Sequence, residues 1–304
     1  MYDTLKMWLP IEEIKDSRYL NRVPTLLSNI GQTTKENGIE YVSGSLDNLK
    51  ISIGQTGISI NGSINKFFHN DNFNKLTRQE TELSINKLSD ILGINFDNAK
   101  IQRLDISHNF IMNEPAENYY SFLGECTHYK KMMQPTSLYF QNKLKTLLFY
   151  NKVAEGEYRK KDIPMVWQNK NVLRYEMRYT SRLASQLNMP IVMAKDLYNE
   201  DMYIALIDKW IAEYFKIKKN KLLKPKSNSM TSKNAKEFLL SALVEIVGQN
   251  EINEIAKQWK TNFTTSKEAQ RFKRDIENLK GLTEQSPLIE ELDKKVARVK
   301  EFYR

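Results

Sequence analysis

Asn171–Thr180, "NVLRYEMRYT", alternates apolar and polar residues with the period of a β-strand. Leu173, Tyr175 and Met177 share one side; Arg174, Glu176 and Arg178 share the other. Ile101–Phe110, "IQRLDISHNF", repeats the device: Leu104, Ile106 and Phe110 lie opposite Arg103 and Asp105. In Thr146–Lys152, "TLLFYNK", Tyr150 and Lys152 share a face, and Leu147 and Phe149 form the other. Placed in one sheet with their apolar faces packed together, these strands bring Asp105, Glu176 and Tyr150 out on the same side. Glu155 follows closely enough to fold back towards them. Carboxylates gathered on one face repel each other, and a divalent cation would relieve that. Their hard oxygen ligands favour Mg2+ or Mn2+. The same alternation also suits a surface ladder of ion pairs, and a tyrosine at a strand end is commonly a packed ring with a wet hydroxyl. Spacing leaves both readings open.

Outward from these strands, "NLKISIGQTGISINGS" (48–63) reads as a hairpin around "GQTG". Thr77 and Glu80 form a capping-box pattern ahead of a helix that stops at Gly93. A second helix is expected across 115–131, then the strands "TSLYFQ" and "KTLLFYNK", a polar loop at 156–170, and the strand at 171–180. Beyond about residue 190 the pattern turns helical, with Pro287 in the first turn of the last helix. Lys216–Lys236 carries eight lysines and no acid, as a linker or exposed arm would. The expected fold class is α+β. A catalytic domain (1–190), built on an antiparallel or mixed sheet with packed helices, precedes a helical domain (191–304) containing the Lys-rich segment 216–236.

Lysine and arginine number 46 against 37 acids, a formal charge of +9 that favours a polyanionic partner, most commonly nucleic acid. No apolar run is long enough for a membrane span, and the N-terminus lacks the layout of a signal peptide. A single cysteine, Cys126, excludes an internal disulfide and suits a reducing cytoplasm. Cytoplasmic localisation in a bacterial host, without membrane association, is the expectation.

The blocks "INGSINKFFHNDNFNKLT" (60–77), "IQRLDISHNF" (101–110), "KTLLFYNKVAE" (145–155) and "VLRYEMRYTSRL" (172–183), with the opening "MYDTLKMWLP", resemble the gene II/X family of phage and plasmid replication initiation proteins. This is the family of the filamentous-phage nicking protein. The likeness to the trans-acting rolling-circle plasmid initiators is more distant. It spans roughly residues 1–190, and the chain is shorter than the filamentous-phage protein. The resemblance implies metal-dependent, site-specific DNA nicking and closing at a replication origin, through a covalent 5′-phosphotyrosine. Tyr150 would be the nucleophile, with Lys152 contacting the phosphate. Asp105, Glu155 and Glu176 would hold Mg2+ or Mn2+. Arg103, Arg174, Arg178 and Lys66 would contact DNA. The implied partners are supercoiled or single-stranded origin DNA, with host helicase and polymerase beyond it; a homodimer stays open.

The histidines, His69, His108 and His128, lack the paired spacing of the His-hydrophobic-His endonucleases. His108 falls on the face opposite Asp105 and reads as structural, whereas His69 falls in a polar loop. "EFLLSALVEIVGQNEINEIAKQW" breaks at Gly248, which fits a helix-turn-helix reader less well than ordinary helical packing. The rival to the enzyme is a non-catalytic regulator of a phage or plasmid that binds the origin or single-stranded DNA.

Overall fold

The computed structural model describes residues 1–34, 40–223, 231–278 and 283–303. Ten strands make up its main sheet: β1 (Tyr2–Pro10), β2 (Ser28–Thr34), β3 (Glu40–Leu46), β4 (Leu49–Gly54), β5 (Gly57–Ser63), β6 (Lys100–Met112), β8 (Lys130–Gln134), β9 (Ser137–Gln141), β10 (Lys145–Asn151) and β11 (Asn171–Tyr179). They lie in the order β2-β3-β4-β5-β1-β6-β11-β10-β9-β8. A separate short strand, β7 (Leu123–Cys126), pairs with β12 (Ile217–Lys219). Every neighbouring pair in the large sheet is antiparallel. The α+β expectation holds, with an antiparallel sheet.

The hairpin at 48–63 is β4–β5. Gly57 closes it at φ +141°, where a Cβ would stand 2.1 Å from the Leu9 carbonyl oxygen, so glycine is required there. Of the helices, α1 is Tyr19–Arg22, α2 is Ile64–His69 and α3 is Arg78–Leu92. Thr77 and Glu80 form the reciprocal cap of α3, and Gly93 ends it in the left-handed region.

The helix expected across 115–131 does not form. Only α4 (Glu117–Tyr120) is helical, and Leu123–Cys126 becomes β7. Gly124 weakens a helix at that point, and pairing with β12 supplies the backbone partners. His69 is the last residue of α2 rather than part of a loop, 3.6 Å from a Glu80 carboxylate oxygen.

The apolar face of the sheet packs against α7 (Glu200–Phe215), reached through α5 (Lys152–Tyr158) and α6 (Leu183–Gln186). Phe149 and Tyr175 stack at 4.6 Å, Tyr175 meets Trp210 at 4.4 Å, and Phe110 meets Trp210 at 6.3 Å. Burying these rings removes a large apolar area from water, and the helical period of α7 aims Trp210 and Tyr214 at the same face.

The chain divides into two compact units, one of residues 1–218 with 291–304, the other of residues 219–290. The break expected near 190 does not coincide with this division, because the aromatic face of α7 belongs to the sheet's core. The second unit holds β13 (Lys221–Leu223) paired with β14 (Thr283–Gln285), and α8 (Ser232–Val247), α9 (Gln249–Gln258) and α10 (Ser266–Asn278). The last helix, α11 (Pro287–Ala297), leads back into the first unit. Within the Lys-rich segment 216–236, residues 224–230 lie outside those described; the rest contributes β12, β13 and the start of α8. No helix among the described residues is long and apolar enough to cross a membrane.

Candidate active site

The register of the central strands brings the predicted residues onto one face. Arg178 lies across from Asp105, Arg174 across from Asn109, and Tyr150 across from Arg174. Asp105 is buried at 1% exposure. Arg103 grips it with both ends of its fork, Nε at 2.9 Å and Nη2 at 2.6 Å. Burial pushes the Asp105 carboxyl up to about 6; Arg103 opposes that rise and the neighbouring Glu176 adds to it.

Glu176, equally buried, accepts from Arg178 Nε at 2.7 Å and from the Tyr150 hydroxyl at 3.4 Å, with Arg174 Nε at 3.6 Å. Arg178 lies between the two acids, 3.9 Å from Asp105. Burial raises the Tyr150 phenol well above its ordinary value, and Arg174 pulls the other way.

Local structure at the end of β10 sets the next two positions. Asn151 caps α5 by accepting from the Ala154 N–H, so the strand turns into a helix immediately after Tyr150. Lys152 therefore begins a helix instead of sharing the strand face. Its ammonium is buried 5.9 Å from the centre of the Tyr150 ring and 5.3 Å from that of Phe73. Burial, with Arg174 adding to it, lowers the amine to about 8, although it donates to Glu155 at 2.8 Å.

Glu155 lies one helical turn further on, held by Lys152, Lys161 and Arg159. Burial acts to raise its carboxyl, but Lys152 and Lys161 outweigh burial and hold it below the usual range. The expected trio of carboxylates thus divides: Asp105 and Glu176 are neighbours on the sheet, while Glu155 belongs to a cationic cluster on α5. Among the described residues no three His, Cys, Asp or Glu side chains are grouped closely enough to hold a metal ion. The pair still suits a hard cation, because Mg2+ commonly takes one or two carboxylates and completes its shell with water and substrate phosphate.

Arg174, expected on DNA, is buried at 1% exposure and committed elsewhere. Its guanidinium donates to Asp3 at 2.5 Å, Ser107 Oγ at 2.6 Å, the Asn72 carbonyl at 2.9 Å and Asn109 Oδ1 at 3.2 Å. Its two Nη groups are spent on these partners, so Arg174 positions the site instead of gripping a phosphate backbone. Arg103 and Arg178 remain partly open, at 39% and 32% side-chain exposure. Lys66 is half-buried on α2 and joins none of the cluster's ion pairs among the described residues.

Sequence reasoning missed Asp3, which accepts from both Arg174 and Ser63 Oγ, the latter at 2.6 Å. Its signal was the one acidic residue in the opening strand "MYDTLKMWLP". His108 packs on the opposite side, where its Nδ1 lies 2.9 Å from the Tyr303 hydroxyl.

An antiparallel sheet that seats a tyrosine beside acids, arginines and a buried lysine defines a class: an α+β protein with a cluster of charged side chains on the polar face of its sheet. The chain belongs to the phage family described as replication-associated protein, N-terminal region, of the gene II protein type, whose profile matches residues 1–210. The matched region contains every strand of the large sheet and the first eleven of the sixteen residues of α7. Comparison with curated proteins finds no match. Membership supports a role in phage rolling-circle replication, with DNA as a partner.

Proposed function

We propose that the chain initiates rolling-circle replication by nicking and rejoining one DNA strand through Tyr150. The observation that carries this reading is the Tyr150 hydroxyl, 3.4 Å from Glu176 and across from Arg174, with Lys152 against its ring.

In the proposed reaction the Tyr150 oxygen attacks the scissile phosphorus and its proton passes to Glu176, 3.4 Å away and closing to general-base distance once substrate is bound. The P–O3′ bond breaks as the tyrosyl–phosphorus bond forms. Lys152, with its amine brought to about 8, donates the proton that the departing 3′ oxygen needs. Arg178 and Arg103 face the incoming phosphate. A bound Mg2+ or Mn2+, held by Asp105 and Glu176, would supply Lewis-acid polarisation of the phosphate. The 5′-phosphotyrosine conserves the bond energy, so attack by a 3′-OH reverses the reaction and recloses the strand.

A second reading, a DNA-binding regulator without catalysis, is favoured by the arginine and lysine partners that already neutralise Asp105, Glu176 and Glu155. Supercoiled DNA of the replicon encoding the chain, supplied with Mg2+ or Mn2+, separates the two. Nicking that disappears with EDTA and with Tyr150→Phe supports the enzyme; tight binding without cleavage supports the regulator.

A further inference from the structure

Strand β6 outruns its neighbour. Tyr2 of β1 pairs with Ile106, and the last hydrogen bond on that edge runs from the Ser107 N–H to the Met1 carbonyl, whereas β6 continues to Met112. Beside the unpaired part of β6 lies a cavity of about 540 Å3. The C-terminal segment closes one side of it: Lys295 bonds the Ile111 carbonyl, Tyr303 meets His108, and Phe302 stacks on His108 at 5.8 Å. Another part of the lining is Phe73 and Trp167, 5.9 Å apart.

Two residues that line this space each carry a buried polar atom without a partner. Asn65 is buried at 3% exposure; its amide N–H is used on the Asn74 carbonyl at 2.7 Å, leaving Oδ1 unsatisfied. The indole N–H of Trp167 is likewise buried and unsatisfied. A buried acceptor and a buried donor without partners are costly unless something fills the space and bonds both. Lys75, Lys295 and Arg298 add positive charge to the lining. Rings, one acceptor, one donor and a cationic rim are the features that recognise a nucleobase carrying a phosphate.

We propose that this cavity holds one unpaired nucleotide of a DNA strand, its base against the Phe302 ring and bonded to Asn65 and Trp167. Phe73 links it to the proposed proton donor, since the ring that lines the cavity also lies 5.3 Å from Lys152 Nζ. Arg174, across from Tyr150, lines the cavity as well. The inference rests on the nicking function only for the source of that nucleotide, the strand being cut.

The test is calorimetric titration of the full chain with each 2′-deoxynucleoside 5′-monophosphate and with 2-deoxyribose 5-phosphate as the baseless probe. At least one nucleotide should bind, and the baseless probe should bind at least tenfold more weakly. Trp167→Leu and Phe302→Ala should each weaken nucleotide binding at least tenfold, the second at an exposed position that leaves folding intact. Tyr150→Phe should bind as the wild type does. Absence of binding to every nucleotide, equal binding of the baseless probe, or unchanged binding by Phe302→Ala overturns the proposal. Nicking without nucleotide binding overturns the cavity alone, whereas nucleotide binding without nicking overturns the catalytic reading and leaves the cavity standing.

Discussion

Arg174 and Asp3, 171 residues apart in sequence, form a buried ion pair at 2.5 Å, with Arg174 across from Tyr150 on the neighbouring strand. The first strand of the chain thereby fixes the charge environment of a tyrosine that arrives much later. Removing one member of such a pair leaves the other buried and uncompensated. Arg174→Met should cost roughly 3–5 kcal/mol of stability, read by urea unfolding. Arg103→Met, at a partly open position, should cost less, because Arg178 stays 3.9 Å from Asp105, and should act mainly on DNA affinity. Equal losses from the two substitutions would contradict the burial assigned to Arg174.

His108 gives the fold an acid-sensitive element. Burial, with the N-terminal amine, Lys75 and Arg174 adding to it, lowers its imidazole to about 3, while the unfolded chain protonates near 6.5. Between those values protons bind the unfolded chain in preference. The stability present above pH 6.5 is therefore lost as pH falls towards 3, by up to roughly 1.4 kcal/mol per pH unit. His108→Gln should flatten that part of the stability profile measured by thermal unfolding. A slope unchanged by the substitution would assign the acid sensitivity elsewhere.

Metal affinity should follow the division of the carboxylates. Asp105→Asn and Glu176→Gln should each weaken Mn2+ binding at least tenfold by calorimetry. Glu155→Gln should leave that affinity within about twofold, since its carboxylate is engaged by Lys152, Lys161 and Arg159. A loss from Glu155→Gln as large as the others would mean that α5 rearranges to complete a three-acid site.

Much of this arrangement was legible in the sequence. The period of two in 101–110 and 171–180 separates Asp105 and Glu176 from the apolar residues behind them, and antiparallel pairing needs nothing more to put them side by side. Local chemistry likewise foretold the cap at Thr77–Glu80 and the stop at Gly93. What was not legible depends on distant contacts. Arg174 carries the same alternation signal as Arg178, yet Asp3, Asn72, Ser107 and Asn109 enclose only the former. The displacement of Glu155 turns on a helix starting at Lys152, one residue after the strand ends, although "TLLFYNK" continues the strand pattern that far. Leu123–Cys126 became a strand because β12, far along the chain, provided an edge.

Lys152 offers a test of the acid role. Lys152→Arg keeps a cation near the Tyr150 ring but moves its ordinary pKa far above neutrality. Single-turnover cleavage should fall at least tenfold, while affinity for uncleaved DNA stays within about threefold. Wild-type cleavage rates from the arginine variant would show that the cation acts by charge alone.

The most direct measurement is peptide mass spectrometry after incubating the chain with an origin-derived single strand and Mn2+. A nucleotide joined by its 5′ phosphate to the peptide containing Tyr150 is the predicted product, with no such species from Tyr150→Phe. Strand cleavage with no protein-bound nucleotide, or with the nucleotide on another residue, would contradict a tyrosine-linked mechanism at this site.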